Sequence, residues 1–270
     1  MPDETAVRRT ALITGASAGI GAAFADVFAR HGFDLVLTAR REDRLRALAV
    51  DLEKRHHIAA RVIAADLADR GAPASIQEHT DRADLTIDAL VNNAGHGLPG
   101  KLIASPWEAH ARFLQLMVTA VVELSYRYLP GMIQRGYGRI INVASLAGLV
   151  PATAGHTLYG ASKAFLVRFS QALALENLKY GVHVTAFCPG FTYTEFHDVN
   201  GTREMVGRLP RLLWQDAETV AREGYDAVMR GKIIWVPGRV NQTLAALARL
   251  MPESLVLSIL KRQRGKFRKE

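Results

Sequence analysis

Cysteine is almost missing from this chain: among 270 residues, Cys188 is alone. A single thiol excludes an internal disulfide and leaves no Cys/His spacing for zinc, so no metal site is expected. Cys188 ends the apolar run from Val182 to Phe187 and reads as a buried strand-end thiol, not a nucleophile. Also lacking is any uncharged apolar run near the ~18 residues that a transmembrane helix needs. The first residues, Met-Pro-Asp-Glu-Thr, are acidic and contain no apolar segment, so a signal peptide is not expected. No internal repeat, low-complexity linker or nucleic-acid recognition motif is present. Together these absences predict a reducing, cytoplasmic setting.

About half of the residues are apolar, and the length suits one large α/β domain better than two ordinary ones. Apolar, β-rich runs at Thr10–Thr14, Asp34–Thr38, Ala60–Ala65, Ala89–Asn92, Arg139–Val143, Val182–Phe187 and Lys232–Val236 read as strands. Amphipathic stretches at Gly19–Arg30, Glu42–Arg55, Trp107–Arg135, Tyr159–Tyr180 and Asp216–Arg230 read as helices between them. Continuous apolar strands alternating with helices predict a single doubly wound, Rossmann-type domain, its seven-stranded, mostly parallel sheet covered on both faces. That domain is expected to span residues 1–240, with a helical, basic extension over 241–270.

The net charge of +8 resides mainly in the last ten residues, which hold six bases and one acid. Ahead of them runs an apolar stripe, Leu244, Leu247, Leu250, Met251, Leu255, Val256, Ile259 and Leu260, divided by Pro252. Two readings of this extension stand: helices packed on the domain or a partner subunit, or a peripheral membrane-surface contact. The loops 98–106 and 191–211 leave the carboxyl ends of strands, where open parallel sheets bind ligands. Both are candidate pocket walls, and the second is long enough to act as a lid.

The first strand runs into Thr14-Gly15-Ala16-Ser17-Ala18-Gly19-Ile20-Gly21 and then a helix. Gly15 permits a tight turn, Gly19 a close approach of backbone to a pyrophosphate, and Gly21 close packing of the helix. The amides of Gly19, Ile20 and Gly21, at a helix N-terminus, would face phosphates. After the second strand an NAD site wants a carboxylate, but the run is Leu37-Thr38-Ala39-Arg40-Arg41, with no acid before Glu42. A guanidinium suits a ribose 2′-phosphate, so NADP(H) is expected, with Arg40 the main contact and Ser17 and Arg41 as helpers.

Tyr159 and Lys163, in Tyr159-Gly-Ala-Ser-Lys163, lie one turn apart on one helix face, downstream of Ser145. At about 4 Å and an effective dielectric near 20, an ammonium favours a phenolate by roughly 4 kcal/mol. The spacing therefore predicts a tyrosine with a lowered pKa, usable as an acid/base near neutral pH.

With these pieces in order, the chain resembles the short-chain dehydrogenase/reductase family over about residues 6–240. The matching motifs are the glycine loop, Asp66-Leu67, Asn92-Asn93-Ala94-Gly95, Ser145, Tyr159-x-x-x-Lys163 and Pro189-Gly190-x-x-x-Thr194. The resemblance implies an NADP(H)-dependent oxidoreductase acting on a carbonyl/alcohol pair. Tyr159 would be the general acid/base. Lys163 would lower its pKa and hold the nicotinamide ribose, and Ser145 would donate to the substrate oxygen. Asp66, with Leu67 beside it, would accept from the adenine amino group. Asn92, Asn93, Ala94 and Gly95 would line the adenosine side and steady the central strand, and Thr194, beyond Pro189 and Gly190, would hold the carboxamide. A homodimer or homotetramer is also implied.

Two positions depart from the family pattern. Thirteen residues before Pro130 the family has an asparagine that holds a relay water; here it is Met117. Three readings stay open: the Met117 carbonyl holds the water; Gln115 or Thr119 substitutes, though each points away from Met117 on a straight helix; or turnover is slow. The last leaves a catalytically weak cofactor-binding or scaffold protein as the alternative function. Ser145 also precedes Tyr159 by fourteen residues, one more than usual, with the extra residue in a loop. His96 and His156 read as pocket-lining or surface residues. Leu98, Leu146, Leu149, Val150, Leu158, Phe191, Tyr193 and Phe196 around the expected pocket imply a substrate with apolar character.

Overall fold

The computed structural model describes residues 8–151, 154–195, 210–250 and 258. Phe196, most of the 191–211 loop and the basic cluster at 261–270 lie outside the described residues. Seven strands form one parallel sheet: β1 (Thr10–Thr14), β2 (Asp34–Ala39), β3 (Ala60–Ala64), β4 (Ile87–Asn92), β5 (Gly138–Val143), β6 (Val182–Phe187) and, at the far edge, the two-residue β9 (Ile234–Trp235). Their order across the sheet is β3-β2-β1-β4-β5-β6-β9. The intervening β7 (Phe191–Tyr193) and β8 (Trp214–Asp216) pair in parallel apart from it.

The helices are α1 (Gly19–Arg30), α2 (Glu42–His56), α3 (Ala72–Arg82), α4 (Trp107–Leu114), α5 (Ala120–Gln134), α6 (Thr157–Asn177), α7 (Ala217–Met229) and α8 (Arg239–Leu250). Alternation along the strands sorts the core into two layers. Ala11, Ile13, Leu35, Leu37, Val91 and Ile141 face Phe24 and Phe28 of α1, Leu45 and Leu52 of α2, and Val220 and Tyr225 of α7. Leu12, Val36, Leu90, Ile140 and Val184 face the other way, onto Ile76 of α3, Leu124 and Met132 of α5, and Ala174 of α6. Both faces are covered, which is why the strands read as unbroken apolar runs. Each fully buried Leu, Ile or Phe contributes about 1.5–3 kcal/mol to holding a helix against the sheet.

Three features differ from the sequence reading. The expected helix Trp107–Arg135 is two helices, joined by a π turn at Gln115–Thr119 in which the Ala120 amide donates to the Gln115 carbonyl. Helix α3 and the β7–β8 pair were not anticipated: α3 is a short segment with Pro73 in its first turn, and β7 and β8 have three residues each. Helix α8 begins at Arg239, ahead of the boundary expected at 240. Its Asn241 and Ala245 are buried, Ala245 against Val121, Leu166 and Cys188.

One polar chain is sealed inside the second layer. Asn92 Nδ2 donates to Asn142 Oδ1 (2.8 Å) and Ser125 Oγ (3.3 Å), and Asn142 Nδ2 donates to Ser170 Oγ (2.9 Å). It ties β4 and β5 to α5 and α6 at the carboxyl end of the sheet. Removing Asn142 takes a hydrogen bond from each of two buried partners, Asn92 and Ser170, and leaves a cavity, so Asn142→Ala is expected to cost about 2–4 kcal/mol, read as a lowered urea midpoint. A loss below about 0.5 kcal/mol, the scale of a neutral surface change, would show that the network contributes nothing to the fold.

Candidate active site

The chain winds outward through β2 and β3 and then returns to place β4 on the other side of β1. Loops leaving β1 and β4 therefore diverge and open a crevice at the carboxyl ends of the strands. Thr14 and Asn93 stitch its floor. Thr14 Oγ1 donates to the Val91 carbonyl and accepts from the amides of Asn93 and Ala94, while Asn93 Nδ2 donates to the Thr14 carbonyl (2.9 Å). The crevice is a cavity of about 880 Å³. Every residue named above as catalytic or cofactor-binding lines it except Gly21 and Asn92, the latter buried in the network with Asn142.

Gly21 serves the loop from behind. A Cβ there would lie 2.3 Å from the Gly15 carbonyl oxygen and 2.5 Å from Asn93 Nδ2, so only glycine lets α1 begin against the turn at Gly15, itself at φ +66°. The first amides of α1 have no intrahelical acceptor and open toward the crevice with the positive end of the helix dipole. This cradle, its backbone donors and the cavity volume fit the diphosphate of a dinucleotide.

At the end of β2 the two arginines are not equivalent. Arg40 is exposed and has no hydrogen bond or ion pair among the described residues. Arg41 is held: its Nε and Nη2 donate to Ser17 Oγ at 3.2 and 3.1 Å, and its Nη1 pairs with Glu195 at 3.0 Å. Arg44 pairs with the same carboxylate at 2.8 Å. On the adenine side, Asp66 accepts from the Ala68 amide and from Arg112 Nη2 (2.9 Å), a cavity residue on α4. Glu195 and Arg112 escaped the sequence reading. Glu195 directly follows Thr194, and that adjacency was the available signal; Arg112 had none, since its partner lies on a different element.

Ser145 ends the segment after β5 and caps the short turn Leu146–Gly148, its Oγ accepting from the Ala147 amide. A Cβ on Gly148 would lie 2.6 Å from the Lys163 backbone, so the turn sits directly on α6. This contact brings the Ser145 hydroxyl to the part of the cavity that Tyr159 lines, where it acts to lower the phenol pKa despite the additional residue between them. Lys163 is buried beneath, its Nζ donating to the Val143 carbonyl at 2.7 Å and lying 5.7 Å from the Tyr159 ring centre.

The expected lowering of the Tyr159 pKa is corrected here. Burial raises the phenol above its ordinary value, with the Ser145 hydroxyl opposing. Burial likewise pushes the Lys163 ammonium down to about 8. Desolvation is the largest influence on both buried groups, and it disfavours each charged form.

The walls come from the loops. Gly100 pairs with His156, and its amide donates to the Gly155 carbonyl, tying loop 98–106 to the start of α6. His156 and His96 both line the cavity, and burial lowers the His156 pKa, keeping its imidazole neutral. Of the apolar residues expected here, Leu98, Leu146, Val150 and Phe191 line the cavity; Leu149, Leu158 and Tyr193 do not, while Phe113 and Leu116 were missed. The ends of loop 191–211 are drawn together by β7 and β8, where Tyr193 stacks on Trp214. Met117 does not line the cavity. It is buried in the π turn, its sulfur 2.8 Å from where a Gly95 Cβ would be. Because of that turn, directions counted on a straight helix do not apply to Gln115 and Thr119.

The Lys163 pKa carries a stability signature. Below about pH 8 the folded and unfolded chains both hold the ammonium, and the folded chain bears the full cost of burying it. From there to the ordinary lysine value of 10.5, the folded chain sheds its proton first, so stability rises with pH. Lys163→Met is therefore expected to be more stable at pH 7 by about 2 kcal/mol, after subtracting about 1 for the lost hydrogen bond. In urea unfolding the difference between the two proteins narrows toward pH 9.5. A variant less stable at pH 7, with an unchanged gap at 9.5, would contradict this.

The family model described as short chain dehydrogenase matches residues 9–204. Oxidoreductase UcpA of Salmonella typhimurium is 39% identical over 189 residues, covering 69% of this chain and 70% of the relative. Among solved structures, a short-chain dehydrogenase from Sphingobium yanoikuyae in complex with NADPH is 33% identical with a TM-score of 0.79, covering 91% of this chain and 96% of that one. The bulky-bulky ketone specific alcohol dehydrogenase from Comamonas testosteroni is 31% identical with a TM-score of 0.74, covering 91% and 95%. On these matches, the chain belongs to the short-chain dehydrogenase/reductase family of oxidoreductases.

Proposed function

We propose that the protein is an NADP(H)-dependent oxidoreductase of a carbonyl/alcohol pair, with Tyr159 as its general acid/base. The reading rests above all on Ser145, Tyr159 and Lys163, which together line the cavity that the glycine loop opens. The bound nicotinamide supplies the hydride, or accepts it in the reverse direction.

In reduction, Tyr159 holds its proton at the phenol oxygen and donates it to the substrate oxygen. Its raised pKa keeps it in this acid form throughout the neutral range. Ser145 donates a hydrogen bond to the same oxygen and stabilises the charge that develops there. Lys163, fixed by the Val143 carbonyl, places a positive charge beneath the ring and favours the phenolate left behind. It also holds the nicotinamide ribose, and Thr194 the carboxamide. Asp66 and Leu67 meet the adenine; Asn93, Ala94, Gly95, Pro189 and Gly190 line the site. Arg41, already seated on Ser17, takes the leading part toward a 2′-phosphate, with Arg40 beside it. The neighbour from Sphingobium yanoikuyae holds NADPH, which favours the same cofactor here. Apolar walls from Leu98, Leu146, Val150 and Phe113 favour a substrate with apolar character.

Oxidation of NADPH is followed with a panel of ketones, aldehydes and quinones. Tyr159→Phe is expected to lower kcat/KM by about 10²–10⁴-fold with cofactor binding retained; unchanged activity would sink the mechanism. Met117, which offers no amide where the family has one, favours a slow enzyme, and tight NADPH binding without turnover across the panel would support a binding-only protein. Arg41→Ala is expected to weaken NADPH binding about 10–100-fold and NADH binding less than about threefold. Equal losses for both cofactors would refute the phosphate contact.

A further inference from the structure

Glu195 presents an unexplained charge. It lines the cavity on the segment that follows β7, opposite the loop carrying Arg41. Its carboxylate takes Arg41 Nη1 on one oxygen at 3.0 Å and Arg44 Nη1 on both, at 2.8 and 3.1 Å. Arg41's remaining edge, Nε with Nη2, is occupied by Ser17 Oγ. A bidentate grip on phosphate needs two parallel N–H donors from one guanidinium edge. Three of the five N–H donors of Arg41 are thus committed, two to a hydroxyl that also suits a phosphate and one to an anion that repels it.

On the NADP(H) reading, we propose that Glu195 is a specificity-determining residue: its carboxylate competes with the cofactor's 2′-phosphate for Arg41 and Arg44. An NAD site places its acid at the end of the second strand; here the acid reaches the same guanidiniums from across the cavity. NADPH must displace Glu195 from Arg41, whereas NADH leaves the clasp undisturbed. The competition moderates the preference for NADPH that the arginines create. It also connects the two ends of the site. Glu195 is joined directly to Thr194, whose Cβ lies 3.0 Å from where a Gly19 Cβ would be.

The test is a fluorescence titration of the full chain with NADPH and NADH separately. Glu195 is exposed and its removal breaks no core contact, so Glu195→Gln is expected to fold as the wild type. Exposed ion pairs of this kind are weak, so the variant is expected to bind NADPH about three- to tenfold more tightly. NADH affinity should stay within about twofold, since NADH carries no competing phosphate. In an Arg41→Ala, Arg44→Ala background the same substitution should have no effect, because the contested partners are gone.

Weaker NADPH binding by Glu195→Gln, or an equal change for both cofactors, would overturn the competition. So would a wild type that prefers NADPH through Arg40 alone, losing it in Arg40→Ala while Glu195→Gln changes nothing. A wild type that binds neither dinucleotide would bring down the NADP(H) reading itself, and is told apart by its failure before any variant is compared.

Discussion

The stitch between Thr14 and Asn93 is the constraint on which the site depends. Where β1 and β4 part, both loops lose their neighbouring strand, and their backbone groups need partners elsewhere. One threonine hydroxyl bridges the Val91 carbonyl and two amides, and one asparagine amide closes onto the Thr14 carbonyl. The Gly15 turn is thereby held against Ala94, and α1 starts where its amides look into the crevice. Sheet order creates the opening, and these few bonds give it rigid lips.

Within the crevice, burial acts on two ionisable groups in opposite directions. The same desolvation that raises the Tyr159 pKa lowers that of Lys163 to about 8, so a neutral phenol stands beside a weakly held ammonium. Ionisable groups perturbed by burial within a cleft are characteristic of functional sites. Neither group is free to move. Lys163 is anchored to the Val143 carbonyl, and the turn that Ser145 caps is seated on α6 through Gly148, so the geometry is fixed by β5 and α6.

Fold and site were legible to different depths. Long apolar strands and the first helix were readable because burial on both faces leaves an unmistakable pattern; Thr10–Thr14 and Gly19–Arg30 have the expected limits. The glycine loop and the Tyr159–Lys163 pair were readable because each is local in sequence. The π turn was not, since a turn with one additional residue leaves no mark in helical periodicity, and Met117, Gln115 and Thr119 were judged on a helix that is not straight. The sign of the Tyr159 shift was missed for a related reason: spacing gives the distance between charges but not how dry their surroundings are. Arg41's grip on Ser17 and its pairing with Glu195 join residues far apart in the chain, where spacing is silent.

The β7–β8 pair has a consequence for the wall beside the glycine loop. Phe191 and Trp214 share one rung of its three-residue ladder, and Tyr193, two residues on, stacks on the same Trp214. Just past β7, Glu195 is clasped by Arg41 and Arg44. Thr194 thus lies between two anchored points, like a plank nailed at both ends, and the wall it forms owes its place to side chains as much as to the sheet.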